Sequence, residues 1–109
     1  MKNLQVTFEN LNNDTEVVTV NLAGRLNEMN AIDFKMDLMN ILKEKNADCL
    51  IDIRSLNAMD IIGINALVMA HRELELRGKK LTILSQSESV VDRAFHLTKF
   101  DKILQLQRA

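Results

Sequence analysis

The stretch Leu50 to Leu76 constrains this chain most, because a short β-branched run passes there through a polar break into a long helical pattern. Leu50-Ile51-Asp52-Ile53 is brief and almost wholly apolar, which suits a buried strand better than a helix. Beyond the break at Arg54-Ser55-Leu56-Asn57, Asp60 stands just ahead of the helical pattern, where its carboxylate is placed to accept the free N–H of Ile62 or Gly63. A helix start exposes unpaired donors and a partial positive charge, so the corner Met59-Asp60-Ile61-Ile62-Gly63-Ile64 suits an anion or a partner's carboxylate. The helix is expected from about Ile61 to Arg77, closed by Gly78.

The flanking pattern predicts a layered α/β domain. Leu4-Gln5-Val6-Thr7-Phe8 alternates apolar and polar residues, as does Val17 to Leu22, and the turn-forming residues Asn10 to Asp14 between them predict an antiparallel hairpin. Gly24 is expected to turn the chain away. Ala31, Phe34, Leu38, Ile41 and Leu42 mark one face of a first helix that frays near Lys45-Asn46. Leu81 to Leu84 predicts another short strand, Ser87 or Ser89 caps a third helix carrying Val90, Val91, Ala94, Phe95 and Leu97, and a last strand is expected near Ile103 to Leu106. Strands alternating with helices after a hairpin predict a mixed, mostly parallel sheet of about five strands with right-handed crossovers and at least three α-helices. At 109 residues the chain fits one domain, 1–109.

The central helix carries two apolar sets. Gly63, Ala66, Leu67, Ala70 and Leu74 gather on one side and are expected against the sheet. Ile62, Met69 and Leu76 recur every seven residues on nearly the opposite side. Either they meet the first helix through Ile32, Met36 and Met39, or they face a partner; Ile61 and Ile62, on the first turn, favour the partner.

Composition excludes several functions. Fourteen basic and fifteen acidic residues are spread along the chain, so no basic field favours nucleic acid. No apolar run approaches the roughly twenty residues of a membrane span, and the N-terminus carries no leader pattern. The single cysteine, Cys49, excludes an internal disulfide and suits a buried thiol in a reducing compartment. Gly24, Gly63 and Gly78 are isolated, so no phosphate-cradling loop is built from them. His71 and Glu75 lie four apart but lack the second pair a structural zinc site takes. His96 has no adjacent nucleophile. Asp52, near a strand end, resembles the acceptor of a small phosphoacceptor domain, yet the first strand ends in Glu9-Asn10 without a carboxylate pair for magnesium. A phosphoacceptor or hydrolase working through Asp52 or His71 is the alternative from another class; pairing of Asp52 with Arg54 is the structural one.

Four stretches together carry a family resemblance: Val20-Asn21-Leu22-Ala23-Gly24-Arg25-Leu26-Asn27, Leu50 to Ile53, Met59 to Leu67, and His96-Leu97-Thr98-Lys99-Phe100-Asp101-Lys102-Ile103. In this order and spacing the whole chain resembles a STAS domain of the anti-sigma factor antagonist type. The resemblance implies a non-enzymatic, cytoplasmic bacterial protein, without cofactor or metal, that binds an anti-sigma factor or switch protein kinase through the start of its second helix. It places partner contacts at Asp60, Ile61, Ile62, Gly63, Asn65 and Met69, with Gly24, Arg25 and Asn27 beside them, and is compatible with weak homodimerisation. In that family a serine at the helix start is phosphorylated to break the complex, adding about −1.5 to −2 charge to an interface suited to neutral packing. The usual Asp-Ser-Ser-Gly is here Asp60-Ile61-Ile62-Gly63, so Ile61 occupies the phosphoacceptor position without a hydroxyl. Asn27 replaces a common aspartate, and Lys99 stands where glycine is frequent. The resemblance equally admits a scaffold subunit of a stress-signalling or lipid-transport complex. Ser55, Ser85, Ser87, Ser89 and Thr98 offer other hydroxyls, each with a turn or capping role.

Overall fold

Through 18–22, 49–53 and 81–85 every second residue is buried and the residues between are half-buried, so the sheet has one covered and one open face. The computed structural model describes residues 3–9 and 16–109; the expected turn Asn10 to Asp14 lies outside them. The elements run β1 (Leu4–Glu9), β2 (Val17–Leu26), α1 (Ala31–Lys45), β3 (Asp48–Met59), α2 (Ile61–Leu76), β4 (Leu81–Ser85), α3 (Val90–Thr98), a 3₁₀ turn (Phe100–Lys102) and β5 (Gln105–Arg108). β1 pairs antiparallel with β2, and β2 to β5 follow in parallel, so the five strands stand in chain order. The mixed, mostly parallel sheet with three α-helices is the architecture expected from the sequence.

Each crossover adds the next strand on the same side. Right-handed connections therefore bring all three helices to one face. There Val18, Val20, Leu22, Cys49, Ile51, Ile53, Leu81 and Ile83 are buried beneath Phe34, Leu38, Leu42, Leu67, Leu74 and Phe95 in one core. The other face presents Thr19, Asn21, Leu50, Asp52, Thr82 and Leu84, all half-buried.

Three expectations shift. β2 does not turn away at Gly24 but runs on to Leu26, with irregular register either side of that glycine. Gly24 has φ +103°, and a Cβ there would lie 2.5 Å from the Asn3 carbonyl oxygen, so glycine admits the bend without ending the strand. β3 likewise continues through the supposed break at Arg54 to Asn57: a register shift is absorbed after Asp52, and Leu56 returns to the core. β5 begins two residues beyond Ile103, which is exposed. The helix ends are as expected. Asn46 closes α1 in the left-handed region with its N–H donating to Leu42, and the N–H groups of Gly78 and Lys79 donate to Glu75 and Leu74 at the end of α2.

Candidate functional site

Asp60 links two segments at the carboxyl ends of β2 and β3. One carboxylate oxygen, Oδ1, accepts the N–H of Gly63 at 2.8 Å and caps α2; the other, Oδ2, accepts the N–H of Glu28 at 3.0 Å. Its own N–H donates to the Leu26 carbonyl. Gly63 allows this close approach, since a Cβ there would lie 2.5 Å from the Leu26 oxygen and 3.0 Å from Met59 Cγ. The loop ahead of α1 is shaped by two asparagines. Buried Asn30 accepts the Asn27 N–H through Oδ1 and donates through Nδ2 to the Arg25 carbonyl, while Asn27 Oδ1 accepts the Met29 N–H.

Apolar side chains stand on this frame. Ile61 is 52% exposed and Ile62 36%, on the first turn of α2, and Met29 in the clamped loop is exposed as well. Of the residues predicted at the site, Asp60, Ile61, Ile62, Gly63 and Asn65 gather at the helix start, with Arg25 and Asn27 on the adjoining strand end and loop; Asn65 and Arg25 are exposed. Met69 lies two turns along α2, also exposed. Gly24 is a strand bend next to β1. The interhelix alternative for the second stripe is not met: Ile32, Met36, Ile62, Met69 and Leu76 are all exposed, and only Met39 is drawn onto the core. Sequence reasoning missed Glu28, Met29 and Asn30. Asparagine at both ends of Asn27 to Asn30 was the available signal for a side-chain-bonded turn.

The other candidates are dispersed. Asp52 lies on the open sheet face and accepts the Arg54 backbone N–H at 3.0 Å and Nε and Nη2 at 3.0 and 2.8 Å. Those hydrogen bonds hold its carboxyl below the usual carboxylate range. His71, on α2, lies 3.7 Å from Glu75, and its Nδ1 is buried without a hydrogen-bond partner. Asp52 and His71 thus sit on opposite faces of the sheet. His96 Nδ1 lies 3.4 Å from Asp101, beside the Arg108 to Asp92 pair at 2.7 Å. Cys49 is buried at the sheet centre, which pushes its thiol up to about 12. Among the described residues no three His, Cys, Asp or Glu side chains gather as metal ligands, and no helix is long and apolar enough to cross a membrane.

The STAS domain profile matches residues 10–109. This chain belongs to the STAS family. Solved structures similar to this STAS domain include an anti-sigma factor antagonist from Mycobacterium paratuberculosis, at TM-score 0.79 and 16% identity over 94% of this chain and 84% of that one. The unphosphorylated anti-sigma factor antagonist SpoIIAA aligns at TM-score 0.78 and 18% identity, over 96% and 88%. A putative anti-sigma factor antagonist from Thermotoga maritima aligns at 0.73 and 19%, over 95% and 86%. At such identities the likeness shows a shared fold.

Proposed function

We propose that this STAS domain is a non-catalytic docking module of the anti-sigma factor antagonist kind, binding an anti-sigma factor or related switch kinase through the start of α2. The observation that carries this reading is the pair Ile61 and Ile62, left exposed on a helix tip whose backbone is fixed from both sides by Asp60. Apolar side chains at a helix mouth gain little in water; covered by a partner they become anchors. Asn65 and Met69 extend the contact along the helix, with Arg25 and Asn27 beside it.

Ile61 stands where the family's phosphoacceptor serine is found and has no oxygen to phosphorylate, so the domain binds without a release switch at that position. The fold resemblance to antagonists named for anti-sigma factors supports the class of partner. The test is titration of Ile61→Asp against the anti-sigma factor kinase of the same cell. Loss of an anchor worth about 2 kcal/mol weakens binding about thirtyfold, with the melting curve unchanged because an acidic residue suits a first turn. Binding of Ile61→Asp at full strength would place the contact elsewhere. In Ile61→Ser the same kinase with ATP should phosphorylate the new hydroxyl.

A further inference from the structure

We propose that Met29 and Met69 form an oxidation-sensitive site, at which peroxide turns the apolar margin of the docking surface polar and releases the partner. The oxidant is hydrogen peroxide, which passes one oxygen atom to a thioether. A sulfur lone pair attacks the peroxide, the O–O bond breaks, the sulfur is oxidised to the sulfoxide and the peroxide is reduced to water. A thiol-dependent sulfoxide reductase runs the change back, releasing the oxygen as water while two thiols become a disulfide.

The chain has six methionines, of which five lie among the described residues, and these five fall into two groups. Met29, Met36 and Met69 are 55%, 58% and 50% exposed. Met39 and Met59 are half-buried and packed against the core. An oxidant therefore reaches three sulfurs without any opening of the fold. The more reactive kind of sulfur is out of its way, since Cys49 is buried at the sheet centre and burial pushes its thiol up to about 12. Oxidation of the folded chain thus falls to the exposed thioethers.

Two of the three stand at the docking surface. Met69 shares the outer stripe of α2 with Ile62, two turns further along. Met29 donates its N–H to Asn27 Oδ1, and the preceding Glu28 donates its own to Asp60 Oδ2, so the backbone at Met29 is fixed beside the head of α2. Met36 lies further along α1. An unbranched thioether adapts to an apolar partner, whereas a sulfoxide brings an acceptor oxygen that a covered contact leaves unpaired. Ile61 offers no hydroxyl at the helix start, and the thioethers beside it supply a reversible covalent change of the same sense. The effect on docking rests on the function proposed above; the order in which the sulfurs oxidise does not.

The test treats the full chain with dilute hydrogen peroxide, destroys the excess with catalase and maps oxygen uptake by peptide mass spectrometry. Met29, Met36 and Met69 should be oxidised well before Met39 and Met59, with the melting curve unchanged. Titrated against the same anti-sigma factor kinase, the oxidised chain should bind about tenfold more weakly than the untreated one, and sulfoxide reductase should restore it. In the double substitution Met29→Leu and Met69→Leu, whatever its starting affinity, peroxide should leave binding where it began. A chain that fails to bind before treatment overturns the docking reading and the switch with it. Binding that survives full oxidation of Met29 and Met69, a loss that persists in the double variant, or early oxidation of Met39 or Met59 overturns the switch alone.

Discussion

At the scale of the residue, Asp60 was half legible. Its place before a helical pattern announced a cap, and Gly63 is the donor it takes. Its second bond could not be foreseen, because the Glu28 N–H lies 32 residues away and only the fold brings it near. Asp60→Ala should cost about 1–2 kcal/mol and, in hydrogen exchange, speed the amides of Glu28 and Gly63 together; acceleration of Gly63 alone would mean that the loop is held by something else. Cys49 allows a pH prediction. Burial raises its thiol from the ordinary value of 9.0 to about 12, so the folded state resists ionisation that the unfolded chain permits. The stabilisation is whole below pH 9.0 and declines as pH climbs toward about 12. The melting temperature of the wild type should therefore fall more steeply between those limits than that of Cys49→Ala, and at pH 8 a disulfide reagent should label Cys49 only at the rate of global opening.

Elements were legible where the apolar period was unbroken. Gly63, Ala66, Leu67, Ala70 and Leu74 of the packed face of α2 were legible, while Ile64 and Val68, buried on its flank, were not; the caps at Asp60 and Gly78 were as expected, and of Ser87 and Ser89 it is Ser89 that caps α3. Strand ends were less so. Gly24 and Arg54-Ser55 carry turn chemistry, yet the sheet absorbs both as irregular steps in register because the neighbouring strands continue. The outer stripe of α2 left two readings open in the sequence, since exposure depends on how far α1 leans over it. Met69→Lys and Leu76→Lys should each change stability by no more than about 0.5 kcal/mol, measured by urea denaturation, and a loss of several times that would show the stripe to be packed. Gly63→Ala is the opposite case: the added methyl meets the Leu26 backbone oxygen, which has no rotamer to yield. The gain of about 1 kcal/mol in helix propensity is outweighed by an overpacking cost of about 1–3 kcal/mol, so a net loss of stability is expected, together with displacement of the α2 tip.

For the whole molecule, the mixed, mostly parallel sheet followed from the alternation of elements and the family resemblance from four short stretches, while the order of the strands and the one-sided placement of the helices had to be seen. A mostly parallel sheet is ordinarily covered on both faces; here Asp52 and Arg54 pair in solvent where a helix layer would otherwise lie. One core consequently carries the stability. Leu67→Ala or Phe95→Ala, at side chains with no exposed surface, should cost about 2–5 kcal/mol in the same denaturation assay. That range is large against the total of about 5–15 kcal/mol typical of a domain.

Strand order identical to chain order also shapes how the protein forms. Every strand hydrogen-bonds to its neighbour in sequence, so no pairing waits for a segment beyond the next crossover, and after the antiparallel β1–β2 pair each loop to be closed is a single strand-helix-strand unit of about 30 residues. Growth from one margin of the sheet to the other can then keep pace with synthesis, each new unit condensing on a template already laid down. Such short-range wiring predicts quick, zipper-like folding for a parallel architecture.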